Sequence, residues 1–141
     1  MEVDARELPD STRTAPEAAA AVGCEVGAIV KSLVFRRGDE AVLALVSGAN
    51  RADEGLLEAE FGAAVERADA DFVRAATGYS IGGVPPIGHP APLRTLVDED
   101  LLRHELVWAA AGTPRSVFPI EPRELAWLAR GTVVRLSAPA R

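Results

Sequence analysis

Fifteen consecutive positions, Gly78 to Pro92, hold four of the chain's twelve glycines (Gly78, Gly82, Gly83, Gly88) and four of its ten prolines (Pro85, Pro86, Pro90, Pro92). Proline locks φ and removes an amide donor, so this stretch cannot be a helix interior or a central strand. Glycine beside it leaves backbone amides uncovered. The product is a stiff loop with a few bare N–H groups at fixed places. Such a loop suits a ligand oxygen that must meet backbone rather than side chain. An elaborate turn between two strands fits the same residues.

Regular elements flank this loop. Residues 3–8 alternate and read as a strand. Thr14-Ala15-Pro16-Glu17 is a capping-box pattern that opens an alanine-rich helix ending at Gly23, followed by a helical turn over 25–29. Residues 31–36 and 40–46 are strand formers joined by Arg37-Gly38-Asp39 as a hairpin. The second run is apolar throughout, which places it at the centre of a sheet covered on both faces. Asn50 can cap a helix over 52–61 that turns Leu56, Leu57 and Phe61 inward and stops at Gly62. A brief strand at 63–67 and a helix from Asp69 to about 76 precede the loop. Beyond it come strands at 93–97, 105–111, 116–120 and 132–136, a turn at 98–102, and a helix at 122–129 with Pro122 at its start. The chain therefore reads as one mixed α/β (α+β) domain, residues 1–141, with seven or eight short strands and four or five helices. Strands and helices do not alternate regularly, which argues against a doubly wound parallel sheet.

Composition narrows the function. Charged residues are 26% and apolar ones 48%, ordinary for a soluble domain. No apolar run reaches the roughly 18 to 20 residues that span a bilayer, and residues 1–6 lack the blocks of a secretion signal. No membrane partner is expected and a cytoplasmic location is the default. The net charge of −6 argues against broad binding to a nucleic-acid duplex. A narrow basic pocket gripping one or two phosphates remains open, drawing on Lys31, Arg36, Arg37, Arg51 or Arg115. A single cysteine, Cys24, leaves no internal disulfide and reads as a structural thiol. His89 and His104, the only histidines, sit at no metal-site spacing, so neither metal nor cofactor is expected. His89 reads as a loop-fixing hydrogen bonder. No Walker-type phosphate loop occurs, and Ser-His-Asp catalysis is set aside.

Lys31 is the only lysine. It interrupts an otherwise apolar strand, so its ammonium must snorkel to water or enter a polar cleft. A compact ammonium there grips a phosphate or ribose oxygen, where a planar guanidinium fits differently. Ser47-Gly48-Ala49-Asn50-Arg51-Ala52-Asp53 joins a strand to a helix. Ser47, Asn50 and Asp53 can face a ligand at that junction, or Asn50 can simply cap the helix while Asp53 favours its N-terminal dipole. Gly112 and Thr113 can bind substrate or merely turn a hairpin.

Five segments, in this order, carry a resemblance: residues 11–15; Ile29-Val30-Lys31-Ser32-Leu33-Val34-Phe35; Leu45 to Arg51; Ala76 to His89; and Trp108-Ala109-Ala110-Ala111-Gly112-Thr113-Pro114. Their order and spacing hold from about residue 2 to 137, and together they resemble the YbaK/EbsC family of aminoacyl-tRNA editing proteins. These are free-standing relatives of the editing domain of bacterial prolyl-tRNA synthetase. The resemblance implies a strongly bent mixed sheet of about seven strands, wrapped by helices around a small pocket. It implies hydrolysis of mischarged tRNA, typically Ala- or Cys-tRNA(Pro), by water attack on the ester. Lys31 matches the family's essential lysine, and Gly82 to Pro86 match its Gly-x-x-x-Pro loop. Lys31 then holds the terminal adenosine, the amides of Gly82 and Gly83 hold the aminoacyl carbonyl, and Ile81, Val84, Pro85, Pro86, Ile87 and His89 bound the aminoacyl pocket.

The implied partners are the 3′ end of aminoacyl-tRNA and a prolyl-tRNA synthetase. Relatives usually carry an extra helix before the first strand. Its absence is expected to expose apolar surface, leaving monomer and homodimer both open. Two other readings stand beside editing: a module that binds a nucleotide or tRNA end without hydrolysis, and a synthetase-associated interaction protein.

Overall fold

The structure is a computed structural model that describes residues 6–7, 14–81, 84–87, 89, 93–113 and 116–139. Its strands are β1 (Arg6–Glu7), β2 (Val30–Arg37), β3 (Glu40–Ser47), β4 (Asn50–Ala52), β5 (Glu66–Arg67), β6 (Arg94–Asp98), β7 (Val107–Ala110), β8 (Ser116–Ile120), β9 (Thr132–Val134) and β10 (Ser137–Pro139). Its α-helices are α1 (Ala15–Val22), α2 (Glu54–Phe61), α3 (Ala70–Thr77) and α4 (Pro122–Leu128), with 3-10 turns at Val26–Ala28 and Glu99–Arg103.

The β2–β3 hairpin organises the domain. Gly38 at φ 60° makes the turn, and the two strands pair in register from Val30↔Ser47 to Arg37↔Glu40. Residues 42–47 of β3 are buried, as a centrally placed apolar strand requires. It lies in the middle of a five-stranded sheet, β5-β2-β3-β6-β9. β6 and β9 are parallel to their neighbours, so the sheet is mixed. A three-stranded sheet, β1-β8-β7, joins it through the bridge Ile29↔Trp108, and β4 pairs with β10. The mixed sheet expected from sequence is present, and among the described residues its pairing runs as three hydrogen-bonded groups of strands, two of them linked by that bridge.

Helix ends follow local chemistry. Thr14 and Asp69 accept from the backbone N–H of Glu17 and Phe72, and Gly23, Gly62 and Gly78 close helices in the left-handed conformation. Asn50 does not cap α2. Asp53 does, accepting from Leu56 N, while Asn50 lies inside β4. The strand expected over 132–136 stops at Val134; Leu136 is buried in the link to a further strand, β10, beyond the expected run.

Two apolar layers sandwich the five-stranded sheet. One packs Val30, Val34, Leu43, Leu45 and Val97 against α3, α4 and the β7–β8 pair. The other packs Phe35, Val42, Ala44 and Val46 under α2. α1 rests on Ile29, Trp108 and Val117. Among the described residues no helix is long and apolar enough to cross a membrane.

Candidate functional site

The candidate site begins where a strand loses its partner. β5 is two residues long and pairs with β2 only at Phe35 and Arg36. Ala68 N donates to Val34 O, and on the opposite edge Gly48 N donates to Ile29 O. In a pleated strand alternate residues direct their backbone groups to opposite edges. Even-numbered residues therefore present theirs outward, and those of Ser32 face a stretch of edge that no described strand covers.

A cleft of about 350 Å³ fills that gap. Thr14 to Pro16 and Ala18 of α1 wall it on one side, Trp108–Ala110 and Val117 on another, and Ile81, Val84 and Arg67 close it. Since the edge of β2 is open, four consecutive residues of it, Val30 to Leu33, line the same cleft. A smaller chamber of about 40 Å³ adjoins it, lined by Ser32, Val34, Ala68, Val73, Ile81 and Val84. The Ser32 hydroxyl is buried without a hydrogen-bond partner. Among the described lining residues the charged ones are Lys31 and Arg67, with no carboxylate.

Lys31 is half-buried. Its ammonium donates to the main-chain carbonyl of Asn50. An ammonium has three donors, so two are left for a ligand. Burial pulls its pKa below the ordinary value of 10.5; the Arg67 guanidinium pulls the same way, Asp98 pushes it back up, and Arg51 lowers it again. Arg67 stacks over the Phe35 ring at 5.9 Å.

Gly48 lets α1 approach the cleft. A Cβ there would stand 2.4 Å from Val26 O and 2.8 Å from the Ala15 Cβ. Gly48→Ala is expected to destabilise the domain by about 1–3 kcal/mol, read as a lowered thermal midpoint. A variant as stable as the parent would show that α1 is free to shift.

Residues proposed from sequence fall into three groups. Lys31, Ile81 and Val84 line the cleft. Ser47 and Asn50 turn their side chains into the interior. Ser47 Oγ donates to Gly27 O at 2.7 Å, and Asn50 Nδ2 donates to Asp100 Oδ2 at 2.6 Å and Ser137 Oγ at 3.0 Å. Asp53 is exposed and caps α2, and Pro85, Pro86, Ile87, His89, Gly112 and Thr113 are absent from the lining. Pro85 and Pro86 are buried, and Ile87 packs on the main core. His89 Nε2 lies 2.7 Å from Pro85 O, and the ring meets Tyr79 edge-on. Gly82, Gly83, Arg115 and residues 11–13 lie outside the described residues.

Sequence reasoning missed two things. Ser32 and Arg67 carried no motif, and only the unpaired edge brings them together. Gly78-Tyr79-Ser80-Ile81-Gly82 also has the Gly-x-Ser-x-Gly spacing of a nucleophile elbow, so setting serine chemistry aside needs structural grounds. The segment follows helix α3 rather than a strand, and Ser80 Oγ accepts from Arg74 at 2.8 Å. Burial raises the pKa of the Cys24 thiol, which suits a packing role. Among the described residues no group of three or more His, Cys, Asp or Glu could hold a metal ion.

Comparison with known proteins identifies the family and the fold. The sequence model of the family described as "Aminoacyl-tRNA editing domain" matches residues 9–128. The chain is 32% identical over 125 residues to the uncharacterized protein YwhH of Bacillus subtilis (strain 168), covering 88% of this chain and 80% of the relative. It is 37% identical over 87 residues to a proline–tRNA ligase of Pelotomaculum thermopropionicum, covering 61% of this chain and 15% of the ligase. A solved structure described as a candidate trans-editing enzyme for prolyl tRNA synthetase superposes with a TM-score of 0.92 at 51% identity, covering 96% of this chain and 87% of that one. The hypothetical protein APE2540 superposes with a TM-score of 0.90 at 29% identity, covering 98% and 93%. The chain belongs to the aminoacyl-tRNA editing domain family.

Proposed function

We propose that this protein acts in trans to hydrolyse the ester of mischarged tRNA, with alanyl- or cysteinyl-tRNA(Pro) as its substrates. The observation that carries the reading is electrostatic. A chain of net charge −6 keeps a cleft whose described charged lining residues are Lys31 and Arg67 alone. That arrangement suits the phosphodiester backbone near the 3′ end of one polynucleotide strand and disfavours broad contact with a duplex.

Water attacks the ester carbonyl, and the products are the free amino acid and the tRNA hydroxyl. The ester is already labile, so positioning and charge stabilisation carry the catalysis. Lys31 holds a phosphate or ribose oxygen of the terminal adenosine with the two donors that Asn50 leaves free. The amides of Gly82 and Gly83 steady the developing oxyanion; Ile81 and Val84, on either side of them, line the cleft. A ribose hydroxyl of the substrate assists the proton transfer; in a cysteinyl ester the substrate thiol can attack instead, forming a thiolactone as the ester C–O bond breaks and the tRNA hydroxyl leaves with the proton, after which water opens the thiolactone to cysteine.

Selection is by size. At roughly 10–15 Å³ per water-sized probe, the 40 Å³ chamber beside Ser32 takes a methyl, hydroxymethyl or thiomethyl group. Steric exclusion of a bigger side chain discriminates better than rejection of a smaller one, which suits a second sieve.

A panel of Ala-, Cys-, Ser- and Pro-charged tRNAs tests this. Small side chains are expected to be cleared and Pro-tRNA spared. If the purified protein clears nothing from a complete aminoacyl-tRNA panel, the hydrolase reading falls.

A further inference from the structure

Lys31 does not hold itself in the cleft. Its partner is a main-chain carbonyl of β4, a strand of three residues whose ladder partner is β10. So short a strand is poorly held by its ladder alone. What holds it is a buried polar cluster at the end of β6. Asp98 is 1% exposed. Its Oδ2 accepts from Ser47 N at 3.1 Å, from Ser137 Oγ at 2.5 Å and, weakly, from Asn50 Nδ2 at 3.4 Å. Its Oδ1 accepts from Asp100 N at 3.1 Å.

The protons balance. The two hydrogens of the Asn50 amide go to Asp100 Oδ2 and Ser137 Oγ, its two shorter contacts. Ser137 accepts from Asn50 and gives its own proton to Asp98. One carboxylate thereby joins the end of β3, β4, β10 and the Glu99–Arg103 turn.

We propose that Asp98 is a positioning residue for Lys31: through Ser137 and Asn50 it fixes the carbonyl that holds the ammonium at the wall of the cleft. The consequence for activity rests on the editing function proposed above; the link between the two side chains does not.

Charge points the same way. The groups around Lys31 are Arg51 on β4, Arg67 on β5, Asp98 on β6 and, behind the Asn50 amide, Asp100 on the 3-10 turn. Burial and the two arginines disfavour the ammonium, while Asp98 favours it. An ammonium is present below its pKa, so a Lys31-dependent rate falls as pH rises through that pKa, and the fall lies below 10.5. Asp98→Asn keeps the shape and removes the charge, and must move that fall to still lower pH.

Lys31 being the only lysine makes this measurable. Incorporated 13C-lysine gives one Cε resonance, whose titration reports Lys31 alone. In Asp98→Asn the midpoint is expected to drop. The alkaline limb of deacylation, corrected for spontaneous ester hydrolysis, is expected to move with it, and the rate at neutral pH to fall by up to about 100-fold, as for a misplaced catalytic group. An unmoved midpoint overturns the proposal, because the ammonium would then sit independently of Asp98; Ser137→Ala, which removes no charge, separates positioning from the direct pull of the Asp98 carboxylate and is expected to move the midpoint as well. A shifted midpoint with an unchanged rate and limb also overturns it. If the parent protein clears no charged tRNA, the titration alone decides the link.

Should Asp98→Asn fail to fold, Ser137→Ala removes the hydroxyl between Asn50 and Asp98. It is then expected to move the Lys31 resonance and lower the rate. Neither changing overturns the proposal.

Discussion

Lys31→Ala is expected to lose about 100- to 1000-fold in deacylation rate, the usual effect of removing one preorganised donor from an acyl-transfer site. The loss should fall on kcat/KM for every charged tRNA that the parent clears, because the ammonium grips the common adenosine end rather than the amino acid. Three features make the effect large. Lys31 is the only lysine, the only other charged lining residue among those described is Arg67, and the ammonium is already anchored on the Asn50 carbonyl. Anchoring removes the entropy that a free lysine would lose on meeting substrate. Lys31→Arg is not a conservative control, since a planar fork cannot repeat the same contact in a half-buried cleft. The fold should survive, because alanine adds no volume and the removed charge was disfavoured by burial. Single-turnover assays beside a thermal melt check both statements. A variant that melts like the parent and still clears its substrates would remove Lys31 from the reaction.

The second large effect is on stability. Phe35→Ala is expected to cost about 3–5 kcal/mol, at least about a fifth of the roughly 5–15 kcal/mol that holds a small domain together. Phe35 is 1% exposed and packs with Val42, Ala44, Val46, Leu57, Phe61, Val65, Leu96 and Leu136 under α2. Its backbone pairs with Val42 on one side and Arg67 on the other. A residue pinned between two strands cannot sink into the space its ring leaves, so the cavity stays open and the upper half of the range applies. Urea unfolding followed by circular dichroism measures it. A loss below about 1 kcal/mol would mean that α2 collapses onto the sheet. The ring also carries Arg67 on its face, so residual activity should fall further than the folded fraction alone explains.

Much of this protein was legible before any coordinates. Caps, turns and burial patterns depend on residues within a few positions of one another. Thr14 with Glu17, Asp69 with Phe72, Gly38 in the hairpin and the unbroken apolar run of β3 therefore read correctly from the chain alone. The resemblance to editing proteins was legible for a related reason: ordered short segments survive in sequence where contacts do not. The exception among local readings is instructive. Asn50 and Asp53 are both good capping residues three positions apart, and the local pattern pointed to Asn50. Tertiary structure chose Asp53, because Asn50 finds Asp98, Asp100 and Ser137 at separations of 48, 50 and 87 residues.

The cleft belongs wholly to tertiary structure. It exists because β5 stops pairing with β2 after two residues and the β7 strand meets Ile29 by one bridge, leaving Lys31 to Leu33 with an open edge. Nothing in the residues themselves announces where a neighbouring strand will end. The chemistry available to the chain, one ammonium beside a glycine–proline loop, was set by the order of its residues. Which groups meet in one cavity, and which serve only to hold others in place, was decided by contacts between residues far apart in the chain, whose outcome depends on the packing of the whole.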